Sequence, residues 1–345
     1  GGAAYLATEI KGLKATNPNT IIVSAGDLVG ASPLVSAVFQ DEPTIEALEE
    51  MGLEYSAAGN HEFDKGISEL QRKQYGCSPQ PGGCRDGDNF AGAGYRYLAA
   101  NVVNNTTGKT LFPAYQIKSL AGVRVAFIGV SLKDTPTMVT PSGIKGYTFR
   151  DEAECINEAV AELEEMGVKA IVVLIHNGGE QDGLPSESRN FTGAIADIVR
   201  RSNDEVDVFV TGHTHQAYVT LIDGRIVSQA GSQGRFLTDI DLLVSKETGD
   251  VISATAKNVA VTRDMPEDPE VSEIVERYRK LSDPLAQEVV GSIASDILRS
   301  QNPSGESALG DVIADTQLYS TRDYGAQVAF MNSGGIRTDL FYNPG

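Results

Sequence analysis

The chain has 345 residues, which is enough for two domains, and its 41% hydrophobic and 22% charged residues are typical of a globular protein. Its formal net charge of −19 argues against a nucleic acid polymer as a partner, because a binding surface would work against the overall field, whereas a small phosphate ester held by cations is compatible with it. No apolar run of about 18 or more residues occurs, so no transmembrane segment is expected.

Apolar periodicity over residues 3–244 predicts alternating helices and strands, a pattern typical of an α/β sandwich. The predicted helices are residues 3–15, 43–51, 151–166 and 192–200, and the predicted strands are residues 20–25, 55–58, 123–130, 170–175 and 206–210. Three further strand-like segments, residues 217–222, 225–229 and 237–244, follow without helices between them.

Two segments interrupt this pattern. Residues 72–97 are rich in Gly, Pro and Asn and are predicted to form an insertion loop. Residues 266–283 are charged and helical in pattern, and a new block begins at Val289, so this helix is expected to bridge two domains.

The cysteines suggest an oxidising compartment. Cys77 and Cys84 bracket a Gly/Pro-rich loop, which favours a local disulfide, although two free thiols or a second metal site would give the same spacing. Cys155 falls in a predicted helix, and its state is not indicated. The first residue is Gly and no signal peptide is visible, so we expect a chain that is processed or truncated at its start.

All four histidines lie just after apolar runs, beside Gly or Asn. They are His61 in Gly-Asn-His-Glu, His176 in Ile-His-Asn-Gly-Gly, and His213 and His215 in Gly-His-Thr-His; Asp27 ends a further run in the same way. Ligands bind at the carboxyl ends of strands in open α/β sheets, and imidazole with carboxylate suits Zn, Mn or Fe. A single histidine after a strand is more often a core residue, but the set in this order predicts a metal site.

These motifs carry a family resemblance. Gly26-Asp27, Gly59 to Asp64, His176 and Gly212 to His215 resemble the signature of the calcineurin-like metallophosphoesterases, and Asn332 to Arg337 resembles the substrate-domain motif of the 5'-nucleotidase branch. That branch includes UDP-sugar hydrolases and 2',3'-cyclic-nucleotide phosphodiesterases. The resemblance implies a four-layer α-β-β-α sandwich over residues 1–264, a helical linker over residues 265–287, and the start of a second α/β substrate-binding domain over residues 288–345.

The resemblance also implies two divalent metal ions, Zn, Mn or Fe. Asp27 would bridge them, His215 would bind the first, and the second would be completed by Asn60, His176 and His213. His61 would not be a ligand. It would approach the phosphoryl group, with Asp64 orienting its ring.

The implied function is that of a secreted or periplasmic phosphoesterase, which hydrolyses nucleoside 5'-monophosphates or related nucleotides by attack of metal-bound hydroxide. The nucleotide would be bound by Asn332, Gly334, Gly335 and Arg337, although Arg337 taken alone would be read as a surface salt-bridge residue. The nucleotide, the metal and the oligomeric state are not indicated.

Two alternatives stay open. The substrate could be a 2',3'-cyclic nucleotide, a UDP-sugar or a sulfur ester, as in other branches of the family. The chain could also be an inactive fragment, because it contains no Asp-x-His pair of the kind that supplies two ligands of the first metal in the family, and because its second domain is short.

Overall fold

The computed structural model describes residues 2–77 and 90–343, which divide into two compact units, Gly1–Pro284 and Leu285–Gly345. None of the described helices is long and apolar enough to cross a membrane. The strands are β1 (Ile22–Ser24), β2 (Leu53–Ala57), β3 (Arg96–Leu98), β4 (Val102–Asn104), β5 (Tyr115–Leu120), β6 (Val123–Val130), β7 (Tyr147–Phe149), β8 (Ala170–Ile175), β9 (Val208–Thr211), β10 (Ala217–Ile222), β11 (Arg225–Ala230), β12 (Phe236–Val244) and β13 (Val251–Ala260). The helices are α1 (Ala3–Thr16), α2 (Leu34–Ala37), α3 (Glu42–Glu50), α4 (Ile67–Tyr75), α5 (Glu152–Glu165), α6 (Ala194–Arg201), α7 (Pro269–Ala286) and α8 (Ala308–Thr321).

Two sheets form the centre of the first unit. The six-stranded sheet has the order β10-β11-β9-β8-β6-β5, in which the four inner strands are parallel and the two edge strands are antiparallel to their neighbours. The second sheet is three-stranded and parallel, in the order β1-β2-β3. Two antiparallel pairs, β12-β13 and β4-β7, complete the described strands.

The sheets pack face to face, and helices cover their outer faces. Tyr55 and Leu98 from the smaller sheet meet Phe127 and Val172 from the larger one, and the Tyr55 and Phe127 ring centroids are 5.3 Å apart. Helices α5 and α6 bury their apolar faces on the larger sheet, while α3 and α4 cover the smaller one. This α-β-β-α order confirms the predicted fold class.

The predicted insertion loop over residues 72–97 is wrong at both ends. Helix α4 continues to Tyr75, and β3 begins at Arg96, where Tyr97 and Leu98 are fully buried. The Gly/Pro-rich composition of the middle concealed these two elements. Cys84 lies outside the described residues, so its pairing with Cys77 stays a prediction.

The second unit is mostly irregular in its described part, residues 285–343. Ser307 caps the start of helix α8, and its hydroxyl accepts a hydrogen bond from the Gly310 amide at 3.1 Å. Ile297 and Leu340 form an isolated antiparallel bridge.

Candidate metal centre and active site

The loops that carry the histidines and Asp27 converge at one edge of the sandwich. Asp27 and Asn60 follow β1 and β2 of the smaller sheet, while His176 and His213 follow β8 and β9 of the larger sheet. Parallel strands bring their carboxyl ends to the same edge, so loops far apart in sequence meet there. Asp27 and His213 have positive φ angles of 55° and 72°, which non-glycine residues adopt only at an energetic cost.

Four of these side chains form a compact set of metal-ligand atoms. Asp27, His176 and His213 offer ligand atoms that all lie within 4.8 Å of one another. His176 Nε2 is 3.0 Å from an Asp27 carboxylate oxygen and 3.1 Å from Asn60 Oδ1, and His213 Nδ1 is 3.0 Å from the same Asn60 oxygen.

The orientation of His176 fits a bound cation. Its Nδ1 lies 2.8 Å from the Ala25 carbonyl oxygen, to which it donates, so in the neutral ring the lone pair on Nε2 faces the oxygens of Asp27 and Asn60. A ring fixed in this way by a backbone carbonyl is typical of metal-bound histidine. A proton can take the same place: burial lowers the pKa of His176, but the charge and hydrogen bond of Asp27 raise it overall.

The charged groups of the site shift one another's pKa values. Burial would raise the pKa of Asp27, but His176, with a contribution from His61, lowers it to about 2. Burial and the nearby Asp27 carboxylate raise the pKa of Glu62 to about 7. Burial and the charge of His176 lower the pKa of His213. Protons shared among these groups balance the charge of the site, and a bound cation would take over that role.

Glu62 is a site residue to which the sequence assigned no role. Its carboxylate accepts hydrogen bonds from the backbone amides of Asp27 at 2.8 Å, Leu28 at 2.8 Å and Gly59 at 2.6 Å. It thereby ties together the two loops that present Asp27 and Asn60. Its place in the motif, directly after His61, is a sequence signal that could have identified it. Its hydrogen-bond partners could not be predicted, because they are backbone amides, which residue types do not reveal.

His61 and Asp64 form a dyad beside this cluster. Their Nδ1 and Oδ2 atoms are 2.8 Å apart, and their side chains are 23% and 35% exposed, so both can be reached by a ligand. The backbone amide of His61 also donates to Asp27 Oδ1 at 2.9 Å. The dyad is therefore anchored to Asp27, a member of the candidate ligand set.

The other predicted site residues are His215, in the loop after β9, and four residues of the second unit. His215 is exposed, with a φ of 58°, and is not among the three residues of the compact cluster. In the second unit, Asn332 accepts a hydrogen bond from the Gly334 amide at 3.1 Å and begins the short helical turn Ser333–Gly335, and Arg337 is exposed just after it.

Comparison with known protein families identifies the family of this chain. The profile of the calcineurin-like phosphoesterases matches residues 1–217. The chain belongs to the calcineurin-like phosphoesterase family. The profile of the 5'-nucleotidase C-terminal domain matches residues 288–345 of this phosphoesterase. The predicted family is thereby confirmed.

Individual relatives agree with this assignment. The phosphoesterase chain is 37% identical to Endonuclease YhcR of Bacillus subtilis and 35% identical to Cell wall protein Lmo0130 of Listeria monocytogenes, over 100% and 99% of its own length. It spans only 27% and 47% of those two proteins. The crystal structure of a 5'-nucleotidase precursor from Thermus thermophilus matches with a TM-score of 0.78 and 25% identity, covering 99% of this chain and 66% of that one.

Proposed function

We propose that this protein hydrolyses phosphate monoesters of nucleosides, with nucleoside 5'-monophosphates as its preferred substrates. The observation that carries the proposal is the partly buried set of Asp27, Asn60, His176 and His213 beside the His61–Asp64 dyad. The match of residues 288–345 to the 5'-nucleotidase C-terminal domain supports the nucleotide as the substrate class.

The ligand set suits Zn, Mn or Fe, and we propose two ions. Asp27, Asn60, His176 and His213 would hold one, and Asp27 with His215 would contribute to the other. Bound divalent cations would neutralise phosphoryl charge and make a coordinated water more acidic.

In this proposal, the dyad serves the leaving group. Asp64 would accept a hydrogen bond from Nδ1–H of His61, and the doubly protonated ring would then donate its second proton, at Nε2, to the ester oxygen. The nucleoside part would be bound by the turn of Asn332, Gly334 and Gly335 and by Arg337, whose guanidinium can bind an anionic group through two hydrogen bonds.

We further propose an extracytoplasmic location. The Listeria relative is named a cell wall protein, which is consistent with this location. The predicted pairing of Cys77 with Cys84 would require the same oxidising surroundings.

The test is phosphate release from AMP by the purified protein supplied with Zn or Mn. Asp27→Asn should lose both bound metal and activity, because it removes a charged ligand. His61→Gln should keep its metal and lose activity by about 10²–10⁴-fold, the usual contribution of a general acid. Glu158→Gln, at a side chain that is 58% exposed, is the control and should match the wild type. Wild-type rates in both site variants would refute the proposal.

A substrate panel separates the alternatives. 2',3'-Cyclic AMP and a UDP-sugar test the other branches of the family, and single-stranded DNA tests the activity in the name of the Bacillus subtilis relative. The net charge of −19 favours the small substrates over the polymer. Bound metal without turnover of any of these esters would favour an inactive chain.

A further inference from the structure

We propose that the buried ion pair of Asp41 and Lys73 positions the His61–Asp64 dyad through the backbone of Gly30. This inference deepens the phosphoesterase function proposed above and rests on it. Lys73 Nζ is 2.8 Å from Asp41 Oδ2, and the two side chains are only 3% and 2% exposed. Burying two charges is costly unless they are well paired, so this pair fixes the geometry of its surroundings.

The first link runs from the ion pair to Gly30. Asp41 precedes α3 with a φ of 69°, and its Oδ2 atom, which accepts from Lys73, also accepts the Gly30 amide at 3.2 Å. Lys73 lies in α4, so one carboxylate oxygen joins a helix to the loop after β1. The position of Gly30 therefore depends on this oxygen.

The second link runs from Gly30 to the dyad. A Cβ atom added at Gly30 would lie 2.5 Å from the His61 carbonyl oxygen and 2.8 Å from Asp64 Oδ2, so the Gly30 backbone packs directly against both residues. Gly30 has a φ of 82°, which suits glycine. The ion pair, Gly30 and the dyad all line one cavity of about 160 Å³. A displacement of Gly30 would be transmitted to the hydrogen bond between Asp64 and His61.

A neighbouring ion pair provides a matched control. Glu42 and Arg72 lie one residue away on the same two segments, are also ion-paired, and have side chains that are 5% and 13% exposed. The remaining contacts of Arg72 include Glu69 and the Phe90 ring, and neither residue lines the cavity that contains Gly30 and the dyad. Removing this pair should disturb the packing of α3 on α4 to a similar degree without moving Gly30.

The proposal predicts a selective defect. In the hydrolysis, the water oxygen bonds to phosphorus, the phosphorus–oxygen ester bond breaks, and His61 gives a proton to the departing oxygen and later regains one from the water. A misplaced His61 hinders the departure of an alkoxide, as from AMP, but hardly that of p-nitrophenolate, which leaves without a proton.

The experiment compares two double variants that both remove the buried charges. Asp41→Asn/Lys73→Met keeps an oxygen acceptor for Gly30, whereas Asp41→Gly/Lys73→Met removes it, and both Asn and Gly tolerate the left-handed φ. We expect the Gly variant to lose about tenfold or more in kcat on AMP and less than about threefold on p-nitrophenyl phosphate, with the Asn variant close to the wild type on both.

The control variant Glu42→Leu/Arg72→Met should also keep the wild-type ratio of the two rates. Gly30→Ala is the test to use if the Gly variant does not fold. Its added Cβ would press directly on His61 and Asp64, so it should cause the same selective loss.

A second measurement does not need activity. In the zinc-loaded protein labelled with ¹⁵N-histidine, His61 is assigned by its loss in His61→Gln. At a pH at which the ring has given up its Nε2 proton, the Asp64 hydrogen bond should hold it in the Nδ1–H tautomer. The Gly variant should shift it toward mixed tautomers, and the Asn variant should not. If the wild type hydrolyses neither ester, the proposed function fails while this spectrum still tests the positioning. Equal losses on both esters, the same loss in the control, or an unchanged His61 spectrum in the Gly variant would overturn the proposal.

Discussion

Glu62 supports the loops that carry the candidate metal ligands, and it is only 2% exposed. Its two oxygens accept three backbone amides, so the loops of Asp27 and Asn60 keep their relative positions. Residues of this kind, which hold ligands rather than bind the metal, commonly change metal affinity by about 10–100-fold when replaced.

Glu62→Gln should therefore weaken metal binding by about tenfold or more and destabilise the fold by about 2 kcal/mol, because the new amide group would face amide donors. Metal affinity is measured by competition with a chelator, and stability by urea unfolding. Glu69→Gln, at a carboxylate that pairs with Arg72 at 2.9 Å, is the control for a lost charge in the same region and should keep wild-type metal affinity. A wild-type affinity in Glu62→Gln would contradict the role given to it.

At this scale, sequence motifs identify the right loops but not their internal bonds. Asp27, Asn60, His176 and His213 could be chosen because rare motifs follow apolar runs. The Ala25 carbonyl that orients His176 and the amides held by Glu62 could not, since every residue has a carbonyl and almost every residue has an amide. The assigned roles of the ligands and of the substrate residues remain predictions.

Elements buried on both faces were the easiest to predict. The bounds of β6 and β8 agree with the predicted residues 123–130 and 170–175, because inner parallel strands are nearly continuous apolar runs. Strands β5 and β13 were missed, since they are partly exposed and carry polar residues at alternating positions. Short elements such as β3 give too little periodicity to be recognised within a Gly-rich stretch.

Asp207, just before β9, places a carboxylate at a partly buried position of the larger sheet. It accepts the Ile171 amide at 2.8 Å, and burial, with the negative charges of Asp250 and Glu205, raises its pKa from 3.8 to about 7. A carboxyl group with a raised pKa binds its proton more tightly in the folded state. Its contribution to stability is therefore present below pH 3.8 and is lost as the pH rises through about 7.

Asp207→Asn should consequently stabilise the protein at pH 8 by about 1 kcal/mol, and by less at pH 5, because the amide oxygen can still accept the Ile171 amide without carrying a charge. Urea unfolding at the two pH values measures the difference. Asp204→Asn, at a fully exposed neighbour, should have little effect at either pH. A destabilisation at pH 8 would show that the charge of Asp207 is favourable in the folded state.

The two units of the molecule differ in how well they bury apolar residues. The first unit contains the clusters between and outside its two sheets. The second leaves Val289, Val290 and Phe330 exposed by 88%, 93% and 88%. A segment of about 60 residues with so little burial rarely folds alone.

A chain that ends at Ala286 should therefore melt in one cooperative transition and bind as much metal as the whole chain, because every residue of the compact ligand cluster lies in the first unit. Calorimetry and elemental analysis provide the measurements. The isolated segment 285–345 is the counterpart and should show no cooperative transition. A shortened chain that fails to fold would mean that the first unit depends on the second for its stability.

The candidate ligand set of Asp27, Asn60, His176 and His213 draws on both sheets, so it can form only late in synthesis. Asn60 is separated from His176 by 116 residues and from His213 by 153 residues along the chain. A growing polypeptide therefore cannot assemble the cluster until the last of these strands has been made and both sheets have packed. An ion bound by this ligand set would therefore be acquired late, where folding is completed, and the metal supply of that compartment would determine which metal occupies the site.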